Sequence, residues 1–253
     1  MLTIITTPRP LGLANNRMAF LNAIRSWVRV EPRLEVLVFG GDRALIEEEG
    51  GYWVDGREVY GRPYFDDFIG TAEILSSNDV LMYCTDHLIL TSDLVPTVER
   101  VCEAFPGNFV IVGKRWQLDV REDIDFSNPN WEAILRGYVL WVDSLGSQAA
   151  KDYIIFRQPL DLSVPNFIMG YPWYDTWFVW AALQAGYPVI DASATIMAIH
   201  QSHKFPEGNV EARERTPGGR YNRKLGISLG LDGKGAISHA SHIITYDGIS
   251  KRP

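Results

Sequence analysis

Continuous apolar runs of strand length alternate with segments of helical periodicity along most of the chain. The runs LTIIT (residues 2–6) and LEVLVF (residues 34–39) are apolar at almost every position, which is typical of strands buried on both faces. Between them, Met18, Leu21 and Ile24 recur at helical spacing. This strand, helix, strand order predicts parallel strands flanked by helices, with polar groups gathered at the carboxyl ends of the strands.

The same alternation continues to residue 203. Further strands are predicted over residues 57–61, 79–90, 108–120, 151–157 and 187–200. Further helices are predicted over residues 43–50, 66–75, 94–105 and 175–186, and one within residues 121–145. Together these elements predict an α/β fold of Rossmann-like type, with a mostly parallel central sheet flanked by helices. The length of 253 residues allows one core of this size in a single domain.

Periodicity is lost after residue 203. Residues 204–226 are rich in Arg and Lys and contain Pro and adjacent glycines, so we expect a flexible basic loop or lid rather than a regular element. Residues 227–253 are rich in glycine and include His239 and His242, whose pattern indicates no role. We expect this segment to pack on the main domain, residues 1–203, as a C-terminal extension.

Composition narrows the class of protein. The net charge of -7 disfavours a protein that coats nucleic acid through its overall charge. The sequence has no apolar run of about 18 residues and no basic segment before its first strand, so we expect neither a membrane span nor a signal peptide, and a cytoplasmic protein. Cys84 and Cys102 lie in apolar surroundings and are expected to be core thiols rather than a disulfide.

Three polar residues interrupt the apolar run at residues 79–90. Thr85, Asp86 and His87 occupy its middle, where an unpaired neutral polar group costs roughly 2–7 kcal/mol on burial. A divalent metal ion or a diphosphate would satisfy them. A hydrogen-bonded turn at the end of a strand would do so equally, and both interpretations stay open at this point.

A single carboxylate, Asp175, stands among aromatic residues in GYPWYDTW (residues 170–177). One interpretation is a capping residue in the first turn of a helix. The other is a carboxylate in the wall of a pocket. His200 and His203 then close the last apolar run, and Gly186 is expected to end the preceding helix.

Five short motifs occur in a fixed order along residues 2–205. They are Ala23 to Trp27 (AIRSW), Phe39 to Asp42 (FGGD), Val112 to Trp116 (VGKRW), Trp173 to Trp177 (WYDTW) and Ile199 to His203 (IHQSH). In this order the chain resembles the GT-A class of nucleotide-sugar-dependent glycosyltransferases, in particular the group similar to glycosyltransferase family 2. The resemblance implies a GT-A-like fold and the transfer of a sugar from a nucleoside diphosphate, with a UDP-sugar as donor.

The resemblance also implies a divalent metal ion, Mn²⁺ or Mg²⁺, on the diphosphate. The family's acidic D-x-D motif falls on Thr85, Asp86 and His87, so this chain carries a variant with neither outer aspartate. His87 would bind the metal as a neutral imidazole, with His200 or His203 as a further ligand. Asp86 would face the metal or the donor ribose, and strand alternation would point it away from the face that carries His87.

For the transfer itself, the resemblance implies that Asp175 deprotonates the acceptor hydroxyl, with inversion at the anomeric carbon. The resemblance also implies a set of residues that bind the donor. Asp42 would contact the base or ribose, Arg115 the leaving diphosphate, and Asp119 and Asp152 the hydroxyls of the sugar. The other donor-binding residues would be Thr6, Thr7, the cation Arg9 and Asp86. A salt bridge or a loop cap is the alternative for each of these aspartates.

The acceptor is not fixed by the sequence. We expect the acceptor to be bound by Trp173, Tyr174, Arg213, Arg215 and Arg220. A hydroxymethylated base in DNA is one specific candidate, since the basic segment could contact phosphates.

Two other functions remain as alternatives to glycosyl transfer. A nucleotidyltransferase would share the sheet, although TTPRPLGLANNR holds only one glycine, and a catalytically degenerate module would bind a nucleotide sugar without turning it over.

Overall fold

A nine-stranded sheet forms the centre of the fold. The computed structural model describes residues 2–12, 14–30, 34–147, 151–202 and 210–252. Within these ranges the strands, in chain order, are β1 (Leu2–Thr6), β2 (Glu35–Phe39), β3 (Tyr52–Val54), β4 (Glu58–Val59), β5 (Arg62–Pro63), β6 (Val80–Cys84), β7 (Leu88–Ile89), β8 (Val110–Val112), β9 (Arg115–Leu118), β10 (Tyr153–Arg157), β11 (Val189–Asp191), β12 (Ala198–Gln201), β13 (His242–Thr245) and β14 (Gly248–Lys251).

Helices lie between most of these strands. In chain order they are α1 (Ala14–Val30), α2 (Arg43–Glu48), α3 (Phe65–Leu75), α4 (Leu94–Ala104), α5 (Trp131–Val142), α6 (Tyr174–Gln184), α7 (Val210–Glu214) and α8 (Pro217–Ser228), followed by a short 3-10 turn at Ile237–His239. Gly186 follows the end of α6 with a φ of 77°, the left-handed conformation that glycine adopts after a helix.

The strand order of the large sheet is β14-β13-β11-β8-β10-β6-β1-β2-β3. Its pairs are parallel except where β10 lies between β6 and β8 and where β14 meets β13. Apolar clusters fill both faces: α1 and α4 cover one face through side chains such as Trp27 and Val98, and α3 and α6 cover the other through Phe68 and Phe178. The prediction of a mostly parallel sheet flanked by helices is therefore confirmed.

A second, three-stranded sheet has the order β7-β12-β9. Residues 79–90, 108–120 and 187–200 were each predicted as one strand, but each run is divided. The first half of each run lies in the large sheet, as β6, β8 and β11 respectively. The second half of each run lies in the small sheet, as β7, β9 and β12. A continuously apolar run cannot show where a strand changes sheet, because both halves are buried.

The divisions coincide with polar or small residues. Residues 85–87 form a turn, in which Thr85 N–H donates to the Asp152 carbonyl (2.9 Å). At the second division, a Cβ on Gly113 would collide with the ring of Tyr153 and come within 3.1 Å of the Ser193 backbone nitrogen. The chain therefore leaves the large sheet at the positions where its side chains cannot continue the apolar layer.

Residues 210–228 are mostly helical, whereas residues 204–226 were predicted to form a loop; residues 203–209 lie outside the described part of the chain. Thr216 caps α8 by accepting a hydrogen bond from Gly219 N–H (3.1 Å), and Pro217 occupies the first turn. Gly218 and Gly226 face aromatic rings, so that any Cβ there would collide with Tyr171 or Trp173. The glycines that suggested a loop therefore serve close packing of a helix.

The C-terminal residues extend the large sheet at one edge. β13 pairs in parallel with β11, with His242 opposite Ile190, and β14 returns antiparallel to it. The two histidines have structural contacts: His239 Nδ1 accepts from Ala236 N–H (3.2 Å), and His242 Nδ1 lies 2.9 Å from Ser241 Oγ. Residues 227–252 thus pack on the main domain through strand pairing.

Among the described helices, none combines the length and the apolar character that crossing a bilayer requires.

Trp27 offers a test of how this core supports the small sheet. Its side chain is fully buried in α1, and its indole N–H donates to the Leu88 carbonyl in β7 (2.8 Å). We expect Trp27→Ala to lower the free energy of unfolding by about 3–5 kcal/mol, because it leaves a large cavity and an unpaired carbonyl. Urea denaturation measures this change.

Ile74→Ala is the control, since Ile74 is 83% exposed on α3 and its loss should change stability by less than about 0.5 kcal/mol. Equal effects of the two substitutions would contradict the packing described here.

Candidate functional site

A cleft of about 690 Å³ opens where β1, β6 and β10 meet the beginning of α6. Most of the side chains predicted to be functional line it together: Thr7, Arg9, Asp86, His87, Arg115, Asp152, Trp173, Tyr174, Asp175, His200 and Arg213. Residues far apart in the sequence therefore meet in one cleft.

Two histidines and one aspartate converge at the base of the cleft. His87 Nε2 lies 2.9 Å from His200 Nδ1, which lies 2.8 Å from Asp152 Oδ2. All three residues are buried, and their ligand atoms lie within 4.8 Å of one another. Two imidazoles and a carboxylate are ligand types that bind divalent transition metals. The group could hold one such ion.

Asp86 supports this group from the other side. His87 and Asp86 sit in a turn rather than a strand, so they do not alternate, and Asp86 Oδ1 lies 2.9 Å from His87 Nδ1. Arg9 holds the same carboxylate through its backbone N–H (2.7 Å) and its Nε (2.9 Å). The expectation that Asp86 and His87 face apart is therefore wrong, because strand geometry ends at Cys84.

Both carboxylates are held in the ionised form. Burial alone would raise the pKa of Asp86, but the charge of Arg9 and the hydrogen bonds from His87 and the Arg9 backbone hold the pKa of that carboxyl well below its usual range. Burial opposes the ionisation of Asp152 too, and His200 and Arg115 outweigh it, so its pKa is also lowered. Arg115 Nη1 contacts both oxygens of Asp152 at 2.6 Å.

The small sheet fixes where the histidines meet. His200 in β12 pairs with Leu88 in β7, the residue after His87. The buried Gln201 side chain then donates to the carbonyls of His87 (3.0 Å) and Ala19 (2.8 Å), which ties β12 to α1 and to the turn. The positions of the two imidazoles thus follow from backbone register.

Asp175 lies in the first turn of α6, on the wall of the cleft. Its carboxylate is about one-fifth exposed and forms an ion pair with the buried Lys151 at 3.2 Å. The turn before it is held by the Asn222 side chain of α8, which accepts from Ile168 N–H (2.8 Å) and donates to the Pro172 carbonyl (3.0 Å). Asp175 does not cap α6, whose N-cap residue is Trp173 with no side-chain capping hydrogen bond, but it lies in the first turn and also lines the cleft.

Some buried polar atoms of the cleft lining have no hydrogen-bond partner among the described residues. They include the hydroxyl oxygen of Thr85, Nε of Arg115 and the indole nitrogen of Trp173. Buried donors are satisfied in folded proteins almost without exception. A hydroxyl and a guanidinium nitrogen next to a possible metal-binding group suit the oxygens of a phosphorylated ligand.

Several predicted site residues are not brought to the cleft. Asp42 caps α2 by accepting from Leu45 N–H (3.2 Å), the Thr6 hydroxyl donates to the Cys84 carbonyl (2.6 Å), and the exposed Asp119 pairs with Arg121. In the structure, Asp42 is therefore a helix cap, Thr6 makes a hydrogen bond in the core, and Asp119 forms a salt bridge.

Two of the basic residues predicted to bind the acceptor also lie away from the cleft lining. Arg215 and Arg220 are exposed beside each other, and Arg220 Nη1 donates to the Arg215 carbonyl (2.5 Å). Only Arg213 of this group lines the cleft. His203 falls outside the described residues.

Other lining residues carried no signal that identified them. Lys151 was visible only as the first residue of a strand, directly before Asp152. Arg62 comes from the β4 and β5 hairpin, and its guanidinium lies over the ring of Tyr171 at 5.3 Å. Tyr83 is buried in β6 and its hydroxyl lies 2.7 Å from that of Tyr174. Burial raises the pKa of Tyr83 and that of Tyr174, so both phenols are neutral.

No protein-family model matches this sequence. A comparison with curated proteins also finds no match. Solved structures do match. One is S. aureus TarS 1-349 in complex with UDP-GlcNAc, with a TM-score of 0.57 and 11% identity over 94% of this chain and 68% of that chain.

Another is glucosyl-3-phosphoglycerate synthase from Mycobacterium tuberculosis. Its complex with Mg²⁺ and uridine diphosphate matches with a TM-score of 0.53 and 13% identity over 100% of this chain and 87% of that chain. Its complex with Mn²⁺ and UDP-glucose gives the same TM-score and identity, over 100% and 86%. At this level of identity the likeness concerns architecture, and the chain has the GT-A fold of nucleotide-diphospho-sugar transferases.

Proposed function

We propose that this protein is a glycosyltransferase that moves a sugar from a UDP-sugar to an acceptor hydroxyl. The observation that carries the proposal is that a single cleft in a GT-A fold holds both the His87, Asp152 and His200 group and the Asp175 carboxylate. A metal-diphosphate site and a general base are the two parts that such a transfer needs, and here they share one cavity. The similar solved structures bind UDP, UDP-glucose or UDP-GlcNAc, which supports a uridine nucleotide as donor.

In this proposal His87, Asp152 and His200 hold a divalent cation, and Thr85 and Arg115 contact the diphosphate. The ion would neutralise charge on the diphosphate as it leaves. Two of its three protein ligands are nitrogens, which favours a transition metal such as Mn²⁺ over Mg²⁺, an ion that prefers oxygen ligands. Asp152 thus takes a metal-binding role instead of the sugar contact that the resemblance suggested.

The metal site can be tested by titrating the protein with Mn²⁺ and following free Mn²⁺ by electron paramagnetic resonance. We expect His200→Ala to weaken Mn²⁺ binding by at least about tenfold, because it removes one ligand of three. His242→Ala is the matched control, since His242 is a partly buried histidine in the sheet edge, outside the cleft. Unchanged Mn²⁺ affinity in His200→Ala would remove the metal from this proposal.

The transfer step follows from the position of Asp175. The acceptor oxygen attacks the anomeric carbon, its proton passes to the Asp175 carboxylate, and the bond from that carbon to the diphosphate oxygen breaks with its electrons left on UDP. Attack opposite the leaving group inverts the anomeric configuration. Lys151, at 3.2 Å, holds the carboxylate at the cleft wall. Arg9 and Arg115 line the same cleft, and their positive charges would stabilise the negative charge that develops on the leaving diphosphate.

Asp175→Asn keeps the shape of the side chain and removes the base. We expect kcat for sugar transfer, or for slow hydrolysis of a UDP-sugar, to fall by about 10²–10⁴-fold, with little change in the dissociation constant of UDP. Asp66→Asn is the control, because Asp66 is also an aspartate in the first turn of a helix, α3, but is exposed outside the cleft.

Three results would separate the competing functions. Wild-type turnover that survives in Asp175→Asn would exclude Asp175 as the base. UDP-sugar binding with no turnover in the wild type would indicate a degenerate binding module. Release of pyrophosphate from a nucleoside triphosphate and a sugar phosphate would indicate a nucleotidyltransferase.

A more specific acceptor, a hydroxymethylated base in duplex DNA, is supported by one surface. Arg220, Arg223 and Lys224 project from α8 at exposed positions with helical spacing, and Arg215 is exposed just before the helix. Arg213, from the adjoining α7, lines the cleft. Such an arrangement would let phosphates bind outside the cleft while a base extruded from the duplex enters it.

Duplex binding at low salt tests this acceptor. We expect the combined change of Arg215, Arg220 and Arg223 to Gln to weaken binding and to reduce the slope of log affinity against log salt by about 3, close to 0.9 for each lost phosphate contact. The same change at Arg29, Arg43 and Arg121, exposed on other surfaces, should leave that slope unaltered. Absence of duplex binding by the wild type at low salt would rule DNA out as the acceptor.

A further inference from the structure

Helix α5 is apolar around most of its circumference, but the described residues cover it on only one side. Leu135 and Val139 are buried against Ile89 and Ile199 in a small satellite cluster. Other large apolar side chains of α5 are exposed: Ile134, Tyr138 and Trp141 share one face, whereas Leu140 and Val142 lie elsewhere around the helix. A helix that is apolar all round is normally buried on all sides.

The extent of this exposure is unusual. Trp141 is 85% exposed, Leu140 59% and Tyr138 56%. The exposed apolar surface of the helix is on the order of several hundred Å², similar to the largest patches on soluble monomers and approaching the roughly 800 Å² that each partner contributes to a standard interface. A patch of this size indicates an interaction surface.

The surface has a shape that fits its own copy. Ala133 and Gly137 form the floor of a shallow hollow whose walls are Ile134, Tyr138 and Trp141. On this face Ala133 lies toward the beginning of α5, Gly137 at its middle and Trp141 toward its end. If two copies of α5 pack antiparallel about a twofold axis at Gly137, then Trp141 of each copy comes to lie over Ala133 and Ile134 of the other. A twofold interface requires this kind of self-complementarity.

The charges nearby disfavour other occupants. A second groove beside the first half of α5 is lined by apolar side chains and by Asp119, Glu122, Asp123 and Asp125, of which only Asp119 has an ion-pair partner among the described residues, Arg121. This acidic border would repel an anionic lipid surface or a nucleic acid. Within α5, Glu132 is neutralised by Arg136 at 2.8 Å, so no uncompensated charge opposes close approach of two such helices.

We propose that α5 forms a twofold interface with a second copy of this chain, centred on Gly137 and sealed by Trp141 and Tyr138. The interface lies on α5 and the satellite cluster, so it does not depend on the glycosyltransferase assignment.

Sedimentation equilibrium over nanomolar to high micromolar protein concentration tests the proposal. We expect the wild type to reach twice the chain mass, and Trp141→Glu or Tyr138→Glu to raise the dimer dissociation constant by at least about thirtyfold, because each places a charge in a buried contact. Ile74→Glu, at a residue that is 83% exposed on α3, should leave the dissociation constant unchanged. Circular dichroism of each variant checks that folding is retained.

Cross-linking gives an independent readout. A Cβ at Gly137 would meet nothing within 4 Å, so Gly137→Cys should fold normally and form a disulfide with its own copy across the axis under mild oxidation. Ile74→Cys should not. A wild type that stays monomeric at all concentrations, or a dimer that persists in both glutamate variants, would overturn the proposal. Flotation of a monomeric wild type with phosphatidylcholine vesicles would assign the α5 surface to a membrane and overturn it as well.

Discussion

A largely buried chain of charged side chains and imidazoles is the constraint on which the candidate site depends. Six side chains at the cleft form a continuous series of contacts, each touching the next. Their order in space is Arg9, Asp86, His87, His200, Asp152 and Arg115. Removing any member would leave a neighbouring charge or polar group buried without its partner, which costs several kcal/mol. Each charged group therefore fixes the position of the next. The loop after β1, the turn after β6, the start of β10 and the end of β12 can each occupy only one place.

The division of three apolar runs between two sheets makes this chain of charges possible. If β6 continued straight into β7, Asp86 and His87 would point to opposite faces and could not both reach Arg9 and His200. The turn at residues 85–87 ends that alternation, and the antiparallel register of β12 with β7 then places His200 beside His87. Gln201 secures the register from below through the carbonyl of His87. The two sheets therefore bring together potential metal ligands that lie far apart in the sequence.

Much of this could be predicted from the sequence, and the failures have physical causes. Hydrophobic periodicity identified the main strands and helices because it reports burial directly. It missed the breaks at residue 85 and at Gly113, because both halves of each run are buried in different sheets. It also missed α8, since Gly218 and Gly226 carry a low helix propensity that is overridden by packing against Tyr171 and Trp173.

In the candidate site, too, some residues could be identified from their neighbours in the sequence, whereas others could be identified only from the fold. His87, Asp175 and His200 could be singled out because each is a polar group in an apolar context. Lys151 and Arg62 could not, since charged residues at the ends of strands are ordinary surface features until the fold brings them together. Asp42 had a plausible role only because it followed a strand, and capping of α2 accounts for it fully.

The T-D-H variant is consistent with metal binding once the hydrogen bonds are considered. Asp86 Oδ1, 2.9 Å from His87 Nδ1, can only accept, because it is ionised. A neutral His87 imidazole would then carry its proton on Nδ1, and the lone pair of its Nε2 would face His200 Nδ1, 2.9 Å away. A carboxylate behind a histidine in this manner orients many metal-binding imidazoles and raises their basicity. In the proposed metal site, Asp86 would therefore select the tautomer of His87, and Asp152, directly before β10, would supply the carboxylate ligand.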